Sequence, residues 1–215
     1  MPELNFEILG AEPLPFAVSP QLVFKLGISN AKTDEAIQTV ALRCQIMIEA
    51  TRRHYNAEEQ ERLRDLFDEP SRWSQTLRTM LWTHASSIVT PFTGKTMVDL
   101  PVECTFDFNI AATKYFAGLE GGEVPLLLQF SGTIFYTGAN GMLQVAQISW
   151  TKETKYRLPV SVWREMMEIY YPNTAWLALR RDVFDRLHQY KISSGIPTFE
   201  QALEKLLSSD EDELK

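Results

Sequence analysis

The sequence predicts an α+β protein, a mostly antiparallel β-sandwich of about seven strands with a helical insertion and a C-terminal helical layer. Three observations predict it. Several runs alternate apolar and polar residues at a period of two, the mark of a strand with one buried face. Glycine-containing turns separate some of these runs. Beyond Leu158 the apolar residues recur at three and four, the spacing of an amphipathic helix. One-sided strands must bury their apolar faces against a second layer, hence the sandwich.

In residues 21–29, QLVFKLGIS, Leu22, Phe24, Leu26 and Ile28 share one phase. In TVALRCQIMIE the inward phase holds Val40, Leu42, Cys44, Ile46 and Ile48, and the outward phase includes Arg43, Gln45 and Glu49. The polar SNAKTDE between the two runs predicts an antiparallel neighbouring pair. Then the period changes. Asn56 is a helix cap, Glu58, Glu59 and Glu61 suit the positive end of the helix dipole, and Leu63, Leu66 and Phe67 form a stripe. After Pro70, the residues Trp73, Leu77, Met80 and Leu81 predict a second helix. The helical insertion is therefore placed at residues 57–83.

Strand signals resume at Ile88–Val89 and in ECTFDFNIAAT, where Cys104, Phe106, Phe108, Ile110 and Ala112 share a phase. Gly121–Gly122 marks a turn, followed by the strand PLLLQFSGTIFY, the turn TGANG and the strand MLQVAQISW. Pro159 suits the first position of a helix that Pro172 ends. Asn173 or Thr174 caps the next helix, with Trp176, Leu179, Val183, Leu187 and Tyr190 at helical spacing, and Gly195-Ile196-Pro197 closes it. Thr198 with Gln201 resembles a capping box for a last helix bearing Leu203, Leu206 and Leu207. The expected organisation is a sandwich over residues 1–158, helices packed on it over 159–208, and a flexible acidic tail over 209–215.

Apolar residues make up 45% and charged residues 23% of the 215, a globular balance. The net charge of −7 argues against a general affinity for nucleic acid, which needs clustered Lys and Arg. The run Thr51-Arg52-Arg53-His54 reads as a solvated strand end, or else as a contact for an acidic partner. The N-terminal MPELNFEILGAEPLP has acids where a signal peptide is basic, and no run of about 18 apolar residues is present to span a bilayer. A cytoplasmic protein without membrane insertion is expected, with Cys44 and Cys104 as reduced thiols. Their spacing also suits a disulfide between facing strands, against which the compartment argues.

Gly94-Lys95-Thr96 resembles the end of a phosphate-binding loop, but Val89 stands where that motif has its first glycine and MVDLP reads as strand, so a hairpin turn is the better account. His54, His84 and His188 are far apart, without a CxxC or HExxH to bring ligands together. No nucleophile elbow or cysteine-protease signature appears. Glu165 and Glu168 lie on a similar face of one helix, where acids are ordinarily solvated and Arg164 can pair with Glu168. No catalytic residue, cofactor or metal ligand is assigned. In YRLPVSVWREMMEIYYPNTAW, Val162 or Trp163, Met166, Ile169 and Tyr170 form one stripe, which helix docking explains. Trp163, Met167, Tyr170, Tyr171 and Trp176 together exceed what one narrow stripe hides, and partial exposure of such a cluster marks an interface.

Four long phrases, LRCQIMIEATRRHY, LWTHASSIVTPFTG, CTFDFNIAATKYFAGLEGGEVPLLLQFSGTIFY and YRLPVSVWREMMEIYYPNTAWLALRRDVFDRL, resemble those of a bacterial, mainly actinobacterial, family of unknown function. The resemblance covers nearly the whole chain, and genes of that family often lie near nickel-iron hydrogenase genes. It brings no catalytic residues and implies a role around hydrogenase production or operation. The first expectation is thus a non-enzymatic accessory protein that binds a protein partner, such as a hydrogenase subunit or maturation factor, through Trp163, Met167, Tyr171 and Trp176. A metal-handling protein or metal-dependent enzyme using His54, His84 or His188 with nearby acids is the alternative. A small-molecule binding module is the third, and needs a lined pocket.

Overall fold

The computed structural model describes residues 1–105 and 109–213, with side chains as far as residue 208. It divides into two units, Met1–Asn173 and Thr174–Lys215.

The first unit is a two-sheet sandwich. Among the described residues it has eight strands: β1 (Leu4–Pro13), β2 (Gln21–Asn30), β3 (Ile37–Ile48), β4 (Met80–Val89), β5 (Lys95–Glu103), β6 (Glu123–Thr137), β7 (Leu143–Gln147) and β8 (Glu153–Pro159). One sheet has the order β1-β2-β5; the other runs β4-β3-β6, with β7 and β8 both paired to β6. All the pairings are antiparallel. Alternation sets the inward faces: Leu22, Phe24, Leu26 and Ile28 from β2, and Val40, Leu42, Cys44, Ile46 and Ile48 from β3, are all buried. Between the layers, Phe6 stacks on Phe130 with ring centroids 4.4 Å apart.

The pairing differs from the expected hairpin. β2 bonds to β1 and β5, whereas β3 bonds to β4 and β6, so residues 31–36 cross between sheets. Alternation specifies which face a residue takes and carries no information on the neighbour strand. Gly94 likewise turns a corner between sheets at φ +71, not a hairpin, because β4 and β5 belong to different sheets. β1 and β8, unread in the sequence, make the count eight.

The insertion is shorter than expected. It holds α1 (Ala57–Arg62), α2 (Arg64–Phe67), a 3-10 turn over Pro70–Arg72 and α3 (Trp73–Thr76); Met80 and Leu81 already belong to β4. Asn56 caps α1 as expected, accepting from Glu59 N at 2.8 Å, while the Glu59 carboxylate returns to Asn56 N.

The strand expected across 103–113 is replaced. Cys104 follows β5, Phe106 and Phe108 lie outside the described residues, and Ile110 starts α4 (Ile110–Gly118). Asn109 caps α4 by accepting from Ala112 N at 2.9 Å. Ala112, Tyr115 and Phe116, at helical spacing, are its buried stripe. Of the period-two residues Ala112 falls on that stripe, whereas Ile110, two positions earlier and so on the far side of the helix, is 45% exposed. Gly118 permits close packing on the insertion, since a Cβ there would lie 2.8 Å from Leu63 Cδ2.

α5 (Val160–Tyr170) buries Val160, Trp163 and Met166 in the sandwich core. The second unit holds α6 (Arg181–Ser193) and α7 (Phe199–Glu213). Trp176 and Leu179 precede α6 in irregular chain, so the helix starts later than Thr174. Gly195, at φ +65, ends α6 with Ile196 N bonded to Lys191 O at 3.0 Å, and Thr198 Oγ1 accepts from Gln201 N at 3.2 Å to start α7. Of the acidic tail, residues 209–213 continue α7; residues 214 and 215 lie outside the described residues.

Candidate protein-binding site

The four residues predicted to bind a partner occupy different environments. Trp163 is 7% exposed and stacks on Phe116 with centroids 5.3 Å apart, so its ring is part of the core. Met167 is half-buried and packs against that core. Tyr171 is half-buried at the end of α5, and Trp176, 47% exposed, belongs to the second unit. Of the aromatic and Met cluster only Trp163 is buried, where it joins Trp82 and Tyr115 in ring contacts with Phe116.

The end of α5 nonetheless builds an exposed apolar site, through Tyr170. Its hydroxyl donates to Leu14 O at 2.5 Å and accepts from Ala17 N at 2.8 Å, which clamps the β1–β2 loop from both sides. Between the clamp points Phe16 takes φ +63 and is 100% exposed; Val18, one residue past the clamp, is fully exposed too. A positive φ is strained for a bulky residue, and such strain persists only where the surroundings impose it. Ile169, beside Tyr170, is 48% exposed. The sequence signal is PLPFAVSP, in which Leu14, Phe16 and Val18 keep a period of two but Pro13, Pro15 and Pro20, which have no N–H to give to a ladder, keep the segment out of the sheets.

The second unit carries another apolar surface. Phe184, His188 and Phe199 pack at 5.5–6.2 Å between ring centroids, joining α6 to α7, and Lys191 Nζ lies 5.4 Å from the Phe199 centroid. Leu177, Leu179, Val183 and Leu187 then face Leu203 and Leu206 across a groove of about 400 Å³, with Arg186 and Tyr190 also in its lining. On the outer face of the three-stranded sheet, a hollow of about 530 Å³ lies over Gly27 between Leu9, Glu7 and Lys95.

In the basic run Thr51, Arg52 and His54 are exposed, as a solvated end would be, whereas Arg53 is built into the fold. The Arg53 side chain is 9% exposed and bonds to the Glu59 carboxylate, to Gly121 O at 2.8 Å and to Glu123 O at 3.0 Å. Glu59 also accepts from Glu120 N at 2.9 Å. Arg53 thereby ties the insertion to the turn before β6. Next to it the Tyr55 and Tyr115 hydroxyls share a 2.8 Å bond; burial raises both phenols above their ordinary value, Tyr115 to about 12. Arg52 pairs with Glu49 at 2.8 Å in a more exposed setting.

Among the described residues no group of three or more His, Cys, Asp or Glu is placed to hold an ion. His84 sits on β4, 3.2 Å from Gln45 Oε1, His54 is exposed after the 3-10 turn, and His188 is in the second unit. Glu165 and Glu168 are exposed, and Arg164 donates to Leu119 O. Cys44 and Cys104 are free and buried, and desolvation pushes each thiol up to about 12. No helix among the described residues is long and apolar enough to cross a membrane.

The first unit is an α+β sandwich and the second a helical pair, each exposing apolar side chains. The chain belongs to the family of unknown function DUF6084, which matches it over residues 1–215. No curated protein matches it. Among solved structures it is similar to a late embryogenesis abundant (LEA) protein at 11% identity, covering 74% of this chain and 72% of that one with a TM-score of 0.32. It is similar also to the ApaA protein of Bordetella pertussis, at 12% identity, 73% and 94% coverage and TM-score 0.24. A third is the sporulation control protein Spo0M of Bacillus subtilis, at 8% identity, 73% and 48% coverage and TM-score 0.24.

Proposed function

We propose that the protein is a non-enzymatic, cytoplasmic accessory module that binds another protein through the loop carrying Phe16 and Val18 and the neighbouring end of α5. The observation that carries this reading is the Tyr170 clamp, which holds a phenylalanine wholly in solvent at φ +63. Holding an aromatic ring in water forfeits burial free energy, and the positive φ adds strain of about 1–3 kcal/mol. A partner pocket that receives the ring offsets both, which is the behaviour of an interface anchor. The occupant is a protein with an apolar pocket. A net charge of −7 disfavours an anionic lipid surface.

The resemblance to a family encoded near nickel-iron hydrogenase genes makes a hydrogenase subunit or maturation factor the first partner to test. Affinity purification from the native host with mass spectrometry should recover hydrogenase proteins with the wild type and lose them with Phe16→Ser/Val18→Ser. Because both side chains are exposed, the melting temperature of the double variant should stay within a few degrees. Recovery of the same partner by that variant sinks the site; recovery of proteins unrelated to hydrogenases sinks the partner class while leaving the site.

A further inference from the structure

We propose that the free edge of β7 pairs with β7 of a second copy, joining the larger sheets of two chains across a two-fold axis. This surface is separate from the Phe16 loop, and the inference does not rest on the function proposed above.

Three observations carry it. The first is backbone geometry. Ile148 N bonds to Gly132 O and Gly138 N to Met142 O, at 2.9 Å each, so the even-numbered residues of this segment direct their peptide groups toward β6. By the alternation of an antiparallel ladder, the N–H and C=O of Leu143, Val145 and Gln147 then point outward. Among the described residues β7 pairs with β6 alone.

The second is the absence of charge. From Val124 to Thr151 the sequence contains no Asp, Glu, Lys, Arg or His, in a chain that is 23% charged. Strand edges are ordinarily guarded by charged side chains, proline or bulges. Here β8 carries Glu153, Lys155 and Arg157, β5 carries Lys95, Asp99 and Glu103, and β1 carries Glu7 and Glu12. β4 has none apart from His84, and packs beside β5. β7 has no guard, and it exposes Leu143 at 65% and Val145 at 58%, flanked by Met142 and by Trp150 at 88%.

The third observation selects the occupant. Each copy carries −7, so self-association requires a surface from which charge has been removed, and this is such a surface. The strand is also self-complementary. A two-fold axis at Val145 sets Val145 against its counterpart and Leu143 against Gln147 of the second copy, and each opposed pair exchanges its two outward N–H···O=C bonds. The Leu143 and Val145 side chains of both copies then meet on one face of the continuous sheet.

Sedimentation equilibrium of the full chain tests this. The wild type should give about twice 24.7 kDa, and Leu143→Lys/Val145→Lys should give the monomer mass with an unchanged circular dichroism spectrum. A second variant guards against misfolding of the first. In Val145→Cys the two-fold places the introduced thiols opposite each other, about 5.5 Å apart at Cα, so mild oxidation should convert the chain to a covalent dimer. Cys44 and Cys104, both buried, should not contribute to it. A wild type that stays monomeric at the highest attainable concentration overturns the proposal. So does a folded double-lysine variant that remains dimeric, or a wild-type dimer whose Val145→Cys form does not cross-link.

Discussion

Replacing Arg53 by Ala should cost the sandwich far more than its place in a basic run suggests. The guanidinium and the Glu59 carboxylate are 9% and 4% exposed, and the same guanidinium serves the carbonyls of Gly121 and Glu123. Truncation strands a buried carboxylate, which keeps Glu120 N at 2.9 Å and Asn56 N at 3.4 Å but loses its counter-charge, and it leaves two carbonyls without this donor. Breaking a buried pair from one side costs about 3–5 kcal/mol. At about 2–4 °C per kcal/mol for a domain of this size, the melting temperature should fall by roughly 6–20 °C. Arg52→Ala is the comparison: it too leaves a largely buried carboxylate, the Glu49 side chain being 10% exposed, but Arg52 itself is 57% exposed and its 2.8 Å pair is open to water on that side, so the loss should be smaller, about 1–2 kcal/mol. The double replacement Arg53→Met/Glu59→Leu removes both charges and should recover much of the single-variant loss. Thermal and urea melts of the four proteins decide it. If Arg53→Ala falls within about 1 kcal/mol of Arg52→Ala and the double variant is no better than the singles, Arg53 is a solvated strand end and the insertion is held by apolar packing alone.

Gly132→Ala should be among the most damaging single-methyl additions, because φ is +140 and a Cβ would sit 2.0 Å from Ala41 O; a loss above about 3 kcal/mol in a urea melt is expected. Gly118→Ala meets the end of the Leu63 side chain at 2.8 Å and should cost nearer 1–2 kcal/mol, since a flexible side chain can move where backbone cannot. Cys44 and Cys104 should resist an aromatic disulfide reagent at pH 8 until urea unfolds the chain, because burial holds both thiols near 12. The folded state binds these protons, and that of Tyr115, more tightly than the unfolded chain does. Their contribution to stability is therefore complete below the ordinary thiol and phenol values of 9.0 and 10.0 and is lost as pH rises toward about 12. The urea midpoint should decline over that window, and Tyr115→Phe should make the decline shallower.

Legibility in the sequence follows the range of the interaction. Leu22 to Ile28 and Val40 to Ile48 could be assigned to a buried face because alternation is local, whereas their placement in separate sheets depends on β5 and β6, far along the chain. Asn56 with Glu59 could be read as a cap because the bond spans one turn. Arg53 could not be placed, because its other acceptors are Gly121 and Glu123. The same holds for residues 103–113, where the helical stripe of Ala112, Tyr115 and Phe116 is recognised only once Asn109 is seen to cap it and to donate to Trp82 O at 2.7 Å.

The proposed partner site shows the limit most clearly. Composition weighs aromatic side chains equally, yet Trp163 and Phe16 have opposite fates. Burying a large aromatic removes about 150–250 Å² from water, worth roughly 4–6 kcal/mol at 25 cal/mol per Å². Trp163 gains most of that because it falls on the inward stripe of α5, seated on Phe116. Phe16 gains none, since Tyr170 holds its loop with the ring turned out. Within the monomer that arrangement only costs stability, so Phe16→Ser should leave the isolated protein as stable or slightly more so. Releasing the clamp with Tyr170→Phe, which keeps the ring and removes the hydroxyl, should weaken partner binding although the Phe16 side chain is still present. A Tyr170→Phe variant that binds like the wild type, beside a Phe16→Ser variant that does not, would mean that the phenylalanine is needed while its enforced conformation is not.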